Sequence, residues 1–244
     1  MLYPLEPIAT VHSPFREKFA TPRQPGLTPS VTATIEFLPG FATPEAVRGL
    51  EGFSHLWLIF LFHHNWQKGW QPTVRPPRLG GNHRVGVYAS RAPFRPNPLG
   101  LSAVKLLGIN NEKGNITLEV QGADLIDGTP VLDIKPYIAY GDSIPGANSS
   151  FAQEAPGALL EVIFSDQARQ QLNSYHSESP ELETGLTETL SLDPRPAYRQ
   201  NKNDDQEYGV LFDRYNVHWQ VTGEVLTVLN INLVQPDSTD GIKQ

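Results

Sequence analysis

The residues best suited to chemistry lie in a rigid, basic segment of the chain. The stretch RAPFRPNPLG, residues 91–100, places Arg91, Arg95 and Asn97 among three prolines, directly before a predicted strand. Proline fixes φ and restricts the residue that precedes it, so Arg95 and Asn97 would lose little conformational entropy when a ligand binds. Arginine recognises carboxylates and phosphates through a planar fork of donors. The segment predicts an anion site, with a proline-rich turn of purely structural role as the alternative.

Charge is distributed unevenly along the chain. The whole chain has 26 acidic and 19 basic residues and a net charge of -7, yet residues 53–111 contain no Asp or Glu. That window holds the basic residues Lys68, Arg75, Arg78, Arg84, Arg91, Arg95 and Lys105. An acidic protein with one basic tract favours a carboxylate- or phosphate-bearing partner at that tract. The alternative is a structural role, in which these arginines cap backbone carbonyl groups.

Two acids begin the motif DLIDGTPVLDIKPY. Asp124 and Asp127 are predicted to lie at the end of a strand, where they could bind ribose hydroxyls or an amine, or act as a base. Asp127 precedes Gly128, so a turn with its own backbone is an equal alternative for that residue.

The motif DPRPAYR embeds Arg195 between prolines and adds Tyr198. An arginine and a tyrosine on a stiff loop suit contact with phosphate and stacking on a base. A simple helix stop after Leu192 is the alternative.

Several function classes are disfavoured by what the sequence lacks. There is no cysteine, so disulfides, thiolate metal sites and a cysteine nucleophile are excluded. His63 and His64 are predicted to lie on a strand and to face opposite sides, which argues against a shared metal ion. The chain has no GxGxxG after a first strand, no P-loop and no GxSxG elbow, which disfavours doubly wound nucleotide folds and serine hydrolases.

The hydrophobic pattern predicts a mainly β protein in two parts. Six or seven short strands within residues 1–140 favour a barrel or a sandwich, and the runs HLWLIFLFHH and HRVGVYAS are each predicted to be one of them. A linker at 143–157 precedes two predicted helices and two or three further strands. The first helix is expected at 166–176 with Ser165 or Asp166 as its cap, and the second from Pro180 onward with Ser179 as its cap. We therefore expect a core domain at 1–145 and a smaller α+β domain at 150–240. No signal peptide or membrane-spanning helix is evident, so we expect a cytoplasmic protein.

A family resemblance rests on six motifs, five of them within residues 1–140. These are PRQPGL, RGLEGFSHLWLIFLFH, RPPRLGG, RVGVYASRAPFRPNPLGLS and DLIDGTPVLDIKPY, followed by DPRPAYR. The set resembles the TrmO family of S-adenosylmethionine-dependent tRNA methyltransferases. The resemblance implies a small β-barrel, a homodimer and N6-methylation of threonylcarbamoyladenosine at position 37, in the anticodon loop of threonine tRNA.

The resemblance also implies site residues. Those for S-adenosylmethionine would be Pro22, Arg23, Gln24, His63, His64, Arg91, Leu101, Asp124, Leu125, Ile126 and Asp127. Asp124 and Asp193 are the candidate catalytic residues, as acceptors of the proton on adenine N6. Contacts with the RNA are expected from Arg95, Asn97, Arg195 and Tyr198, although Arg95 and Asn97 could instead shape their loop.

Other functions stay open at this point. The barrel could be a non-catalytic module for RNA or another anion, or a hydrolase that uses Asp124 and a histidine. A methyltransferase for another base or for a protein is the nearest alternative. No metal and no membrane partner is expected.

Overall fold

The computed structural model describes residues 3–196, 199–200 and 204–234. In chain order the strands are β1 (Ala9–His12), β2 (Thr32–Phe37), β3 (His55–Leu61), β4 (Thr73–Val74), β5 (Val85–Gly86), β6 (Leu99–Glu112), β7 (Asn115–Gln121), β8 (Pro130–Pro136), β9 (Glu161–Phe164), β10 (Asp204–Phe212), β11 (Tyr215–Thr222) and β12 (Val225–Leu233). The α-helices are α1 (Pro44–Val47), α2 (Ala139–Asp142), α3 (Asp166–Tyr175) and α4 (Leu182–Ser191). Short 3-10 helices lie at Leu50–Gly52, His63–Lys68, Pro77–Leu79, Val87–Ala89 and Ser150–Ala152.

The first half of the chain forms a closed six-stranded barrel in the order β1-β2-β7-β6-β3-β8. Every neighbouring pair is antiparallel, and the pairing of β1 with β8 closes the ring. Alternate residues point inward, so Ile35, Leu56 and Leu118 have no exposed surface. Closure leaves no free strand edge. The expectation of a barrel is confirmed, and the sandwich alternative is not what the chain forms.

The second half forms a smaller α+β unit. Its sheet has the order β10-β11-β12-β9, in which β9 runs parallel to β12 and the other pairs are antiparallel. Helices α3 and α4 cover this sheet around a core that includes Leu186, Trp219 and Leu226, each fully buried. The expected fold class, mainly β with a smaller α+β part, is thereby confirmed.

Three local expectations are corrected. The apolar run HLWLIFLFHH was expected to be one strand, but β3 ends at Leu61 and a 3-10 helix begins at His63. The segment HRVGVYAS contributes only the two-residue strand β5 and a 3-10 turn. Helix α4 begins at Leu182 rather than at Pro180, with Glu181 as its N-cap. Helix α3 matches its expected cap, because Ser165 Oγ accepts a hydrogen bond from the Ala168 amide at 3.1 Å.

The barrel arrangement gathers the chemically interesting loops at one end. Because neighbouring strands are antiparallel, β1, β7 and β3 end where β2, β6 and β8 begin. The loops that leave this end are the first loop (13–31), the long loop (62–98) and the acidic loop (122–129). We call this end the loop end of the barrel. Within the described residues, no helix is both long and apolar enough to span a bilayer.

Gly100 offers a test of barrel packing. A Cβ atom at Gly100 would lie 2.2 Å from Phe60 Cζ, on the neighbouring strand β3. We therefore expect Gly100→Ala to lower the free energy of unfolding by about 1–3 kcal/mol in a denaturant titration. Gly108→Ala is the matched control on the same strand, since its Cβ would meet nothing within 4 Å. Equal stability of the two variants would contradict this packing.

Candidate active site

Asp124 is a desolvated carboxylate in the acidic loop. It accepts a hydrogen bond from Ser102 Oγ, with 2.6 Å between the Ser102 and Asp124 oxygens. Ser102 points into the barrel from β6, so the carboxyl group is held at the rim of the apolar interior. Burial raises the pKa of Asp124 to about 6, while the hydrogen bond from Ser102 and the charge of Arg91 act in the opposite sense. Such a carboxyl can exchange a proton near neutral pH.

Arg91 joins this carboxyl to the first loop. Its Nη1 donates a hydrogen bond to Gln24 Oε1 at 2.6 Å, and its charge acts on Asp124. Gln24, Arg91 and Asp124 come from three different loops, and the barrel topology brings them together. We call them the Gln24–Arg91–Asp124 cluster. It offers a cation, a carboxylate and an amide to one ligand, a donor set that suits a molecule carrying both a carboxylate and hydroxyl groups.

His63 and His64 do not alternate across a strand as expected. They begin the 3-10 helix after β3, and their ring centroids lie 4.2 Å apart at 66°. The pKa of His63 is lowered by desolvation and then by the charge of His64, and that of His64 by desolvation and then by Lys18. Both rings are therefore expected to be neutral at physiological pH. Among the described residues, no group of three His, Cys, Asp or Glu side chains could hold a metal ion.

The histidines line an open cleft on the long loop. It has a volume of about 640 Å³ and is bordered by Leu61, His63, His64, Trp66, Gln67 and Lys68. Lys18 of the first loop donates a hydrogen bond to the buried Asn65, and its charge acts on both neighbouring histidines. Sequence analysis missed Lys18 and Asn65, and their pairing across separate loops left no local signal.

Arg95 shapes its own loop. Its Nη1 donates to the carbonyl oxygens of Val87 and Ser90 at 3.0 and 2.7 Å, and its guanidinium lies 5.5 Å from the centre of the Tyr88 ring. These contacts fix the turn before Arg91. Asn97 is exposed, and its carbonyl accepts a hydrogen bond from the Leu99 amide at 2.8 Å.

Asp127 lies apart from Asp124 and holds the start of the first loop. Its carboxylate accepts from the Ser13 amide at 3.1 Å and forms an ion pair with Arg16. The His12 ring lies 3.9 Å from the same carboxylate. These contacts favour a structural role for Asp127.

The remaining residues expected at the cofactor site differ in exposure. Leu125 is buried in the barrel core, whereas Leu101 is 51% exposed on the outer barrel face. Ile126 is half-buried, and its carbonyl oxygen accepts from Thr129 Oγ1 at 2.6 Å. Pro22 is buried. The pKa of Arg23 is lowered by partial desolvation, although the residue stays exposed, and Asp193 acts in the opposite sense.

Asp193 and Arg195 form a buried ion pair in the C-terminal unit. Arg195 Nε and Nη2 donate to the two carboxylate oxygens of Asp193, each at 2.8 Å, and both side chains are at most 4% exposed. This burial does not favour direct RNA contact by Arg195. Tyr198, the other RNA contact expected in this motif, lies outside the described residues.

The long loop carries three exposed aromatic side chains that sequence analysis did not single out. Trp66, Trp70 and Tyr88 are 61%, 55% and 72% exposed. All three lie inside the window without acidic residues, which was the signal that could have identified them.

Comparison with known proteins places this chain among the tRNA methyltransferases. The family model described as the tRNA-methyltransferase O N-terminal domain matches residues 10–143, and the TrmO C-terminal domain model matches residues 157–234. The chain therefore belongs to the TrmO family, and the resemblance seen in the sequence is confirmed.

Individual relatives agree with this membership. The Escherichia coli (strain K12) protein named tRNA (adenine(37)-N6)-methyltransferase is 46% identical over 90% of this chain and 94% of its own length. A Pseudomonas aeruginosa protein named "Putative S-adenosylmethionine-dependent methyltransferase RcsF" is 46% identical over 90% of this chain and 93% of its own. The crystal structure of TrmO from Pseudomonas aeruginosa superposes with a TM-score of 0.79 and 37% identity, and covers 95% of this chain and 99% of that one.

The raised pKa of Asp124 has a consequence for stability. The folded state favours the protonated carboxyl, so its stabilising effect is complete below the ordinary aspartate pKa and is lost as pH rises to about 6. Asparagine carries no charge at any pH. We expect the melting temperature of Asp124→Asn, relative to the native protein, to increase as pH rises from about 4 to about 7.

Glu119→Gln supplies the control for this titration, because Glu119 is exposed on β7. Its melting temperature difference should not increase over the same interval. A pH-independent difference for Asp124→Asn would show that the Asp124 carboxyl is not desolvated.

Proposed function

We propose that this protein transfers a methyl group from S-adenosylmethionine to N6 of adenine 37 in tRNA. We propose further that the adenine is threonylcarbamoyladenosine in threonine tRNA. The observation that supports the reaction most is the Gln24–Arg91–Asp124 cluster at the loop end of a barrel of this family. A tRNA substrate is consistent with a protein of the cytoplasm.

The cluster fits the groups of the proposed cofactor. Arg91 suits the carboxylate of the methionine moiety, because the residue is exposed and, within the described part of the chain, its guanidinium makes a single hydrogen bond, to Gln24. Gln24 and Asp124 can bond ribose hydroxyls. When bound, S-adenosylmethionine supplies an electrophilic methyl group attached to a sulfonium leaving group. His63, His64 and Pro22, which are also expected at the cofactor site, would add an apolar border to it.

Asp124 is the proposed acceptor of the adenine N6 proton. A carboxyl with a pKa of about 6 is mostly ionised at neutral pH, and its basicity exceeds that of an ordinary aspartate. Ser102 fixes the orientation of the carboxyl group. Within the described chain no histidine bonds to Asp124, so a hydrolase built on that pair finds no support. Positioning of the reactants is expected to supply most of the remaining acceleration.

The aromatic and basic side chains of the long loop suit an anticodon loop. Trp66, Trp70 and Tyr88 present exposed rings, and the same window carries all its charge as Lys and Arg. Splayed bases of an RNA loop stack on such rings, while phosphates pair with arginine. The acidic remainder of the surface would repel tRNA placed elsewhere.

A homodimer is also proposed. The outer barrel face exposes Leu101 and Leu107 on β6, at 51% and 41%. A second copy would cover these apolar residues and bring its own surface beside Leu101. Sedimentation equilibrium tests this, and a monomer at micromolar concentration would contradict it.

The cofactor role of Arg91 is testable by calorimetry. We expect Arg91→Ala to weaken the binding of S-adenosylmethionine at least about tenfold, since a charge-assisted bond to a carboxylate is lost. Arg84→Ala is the matched control, because Arg84 lies in the same tract but donates to Thr73 Oγ1 at 2.7 Å. Retained affinity in Arg91→Ala would remove Arg91 from the site.

The stacking role of the exposed rings is testable with tRNA. We expect Trp66→Ala and Trp70→Ala each to weaken tRNA binding by about 1–3 kcal/mol, with affinity for S-adenosylmethionine preserved. Tyr140→Ala is the control, since Tyr140 is 93% exposed but lies outside the acid-free window.

Substrate choice is tested by comparing threonine tRNA with and without the threonylcarbamoyl group. The carboxylate of that group is a candidate ligand for one of the arginines, so we expect only the modified tRNA to accept methyl efficiently. Equal methylation of both would refute the finer substrate proposal.

A further inference from the structure

The first loop (13–31) carries three residues expected at the cofactor site, Pro22, Arg23 and Gln24, yet it has no regular secondary structure. The barrel and its loops hold it at several points. Ser13 Oγ donates to the Leu125 carbonyl oxygen at 2.6 Å, and the Gly26 amide donates to the Gly122 carbonyl oxygen at 2.8 Å. Between these points, Arg16, Lys18 and Gln24 pair through their side chains with Asp127, Asn65 and Arg91. The apolar side chains of the loop find their partners elsewhere.

Apolar side chains of the first loop are buried in the C-terminal core rather than in the barrel. Phe15, Ala20 and Val31 are 3%, 9% and 6% exposed, and all three belong to the core formed by α3, α4 and β9–β12. Ala20 has a φ of 66°, in the left-handed region that residues other than glycine rarely adopt. Such a conformation persists when surrounding contacts enforce it.

Phe19 is the central contact between the first loop and the C-terminal sheet. Its ring stacks on Tyr208 and Trp219, with centroid distances of 6.3 and 6.2 Å. Tyr208 and Trp219 themselves stack at 4.6 Å across β10 and β11. The aromatic group therefore fixes the chain three residues before Pro22.

Hydrogen bonds attach the first loop to the same unit on both sides of the cofactor residues. Glu17 Oε1 accepts from the Leu211 amide of β10 at 3.1 Å. Glu188 of α4 accepts from the Ser30 amide at 2.9 Å through Oε2. The two anchors enclose residues 18–29, which include all three expected cofactor contacts.

We propose that the C-terminal unit (residues 160–233) positions the first loop for the cofactor. This deepens the proposed function and rests on it, since the loop is assigned to S-adenosylmethionine there. A loop that is ordered in advance loses less conformational entropy on binding, so the C-terminal contacts raise cofactor affinity.

The loop contact is tested with the full-length variants Phe19→Leu and Phe164→Leu. Phe164 is buried in the same core but makes no ring contact with Phe19, so its variant matches the loss of apolar packing. We expect Phe19→Leu to weaken S-adenosylmethionine binding about three- to tenfold, because part of the aromatic contact is lost. We expect Phe164→Leu to retain the native affinity. Equal affinities of the two variants would overturn the proposal.

Hydrogen exchange without cofactor separates this inference from the proposed function. Residues 20–27 should exchange faster in Phe19→Leu than in the native protein and in Phe164→Leu, whatever ligand the loop binds. If the native protein fails to bind S-adenosylmethionine, the proposed function fails, and the exchange result still decides whether the C-terminal unit orders the loop. Unchanged exchange in Phe19→Leu would refute that ordering.

Discussion

Antiparallel closure of the barrel is the constraint on which the site depends. Because β1 pairs with β8, all six strands have fixed neighbours, and because those neighbours are antiparallel the three loops that carry the candidate site residues leave from the same end. Gln24, Arg91 and Asp124 are far apart in the sequence, yet their loops cannot separate without opening strand pairs. The entropy loss of bringing these three residues together therefore occurs when the barrel folds. A ligand then meets groups that are already in place.

The same arrangement explains why a carboxyl group is held in an unfavourable place. Asp124 reaches the rim of the barrel interior, where Ser102 is the inward residue of β6 and burial raises the pKa of the carboxyl. A barrel interior filled with Leu and Ile side chains would be more stable with an uncharged residue there. Arg91 offsets only part of the desolvation, and it does so from an exposed position at which a ligand can compete for it. A buried carboxyl group with a raised pKa, such as that of Asp124 at the loop end, is typical of groups that transfer protons.

Much of this fold could be predicted from the sequence, and the failures have physical causes. Alternation of apolar and polar residues indicated the barrel strands, since inward and outward faces impose a period of two. His63 was misplaced because apolar periodicity does not mark where a buried strand gives way to a 3-10 turn. The start of α4 was misjudged because a serine followed by proline resembles a cap, whereas the chain takes one further turn first. Arg195 was expected to contact RNA because it lies between prolines with Tyr198 nearby, but an aspartate two residues earlier pairs with its guanidinium in the core.

Contacts between distant segments left no local sequence signal, and these contacts decide how the two halves of the chain work together. Phe15, Phe19 and Val31 look like ordinary loop hydrophobics in the sequence, since nothing nearby names their partners. In the structure they complete the C-terminal core, which would otherwise expose Trp219 and Phe212 to water. The dependence is therefore mutual: the C-terminal sheet needs the first loop to cover its aromatic side chains, and the first loop needs that sheet to pack Phe15 and Phe19. The barrel and the C-terminal unit have separate hydrophobic clusters, yet they share this loop. Separating them would loosen the candidate cofactor site and expose the C-terminal core.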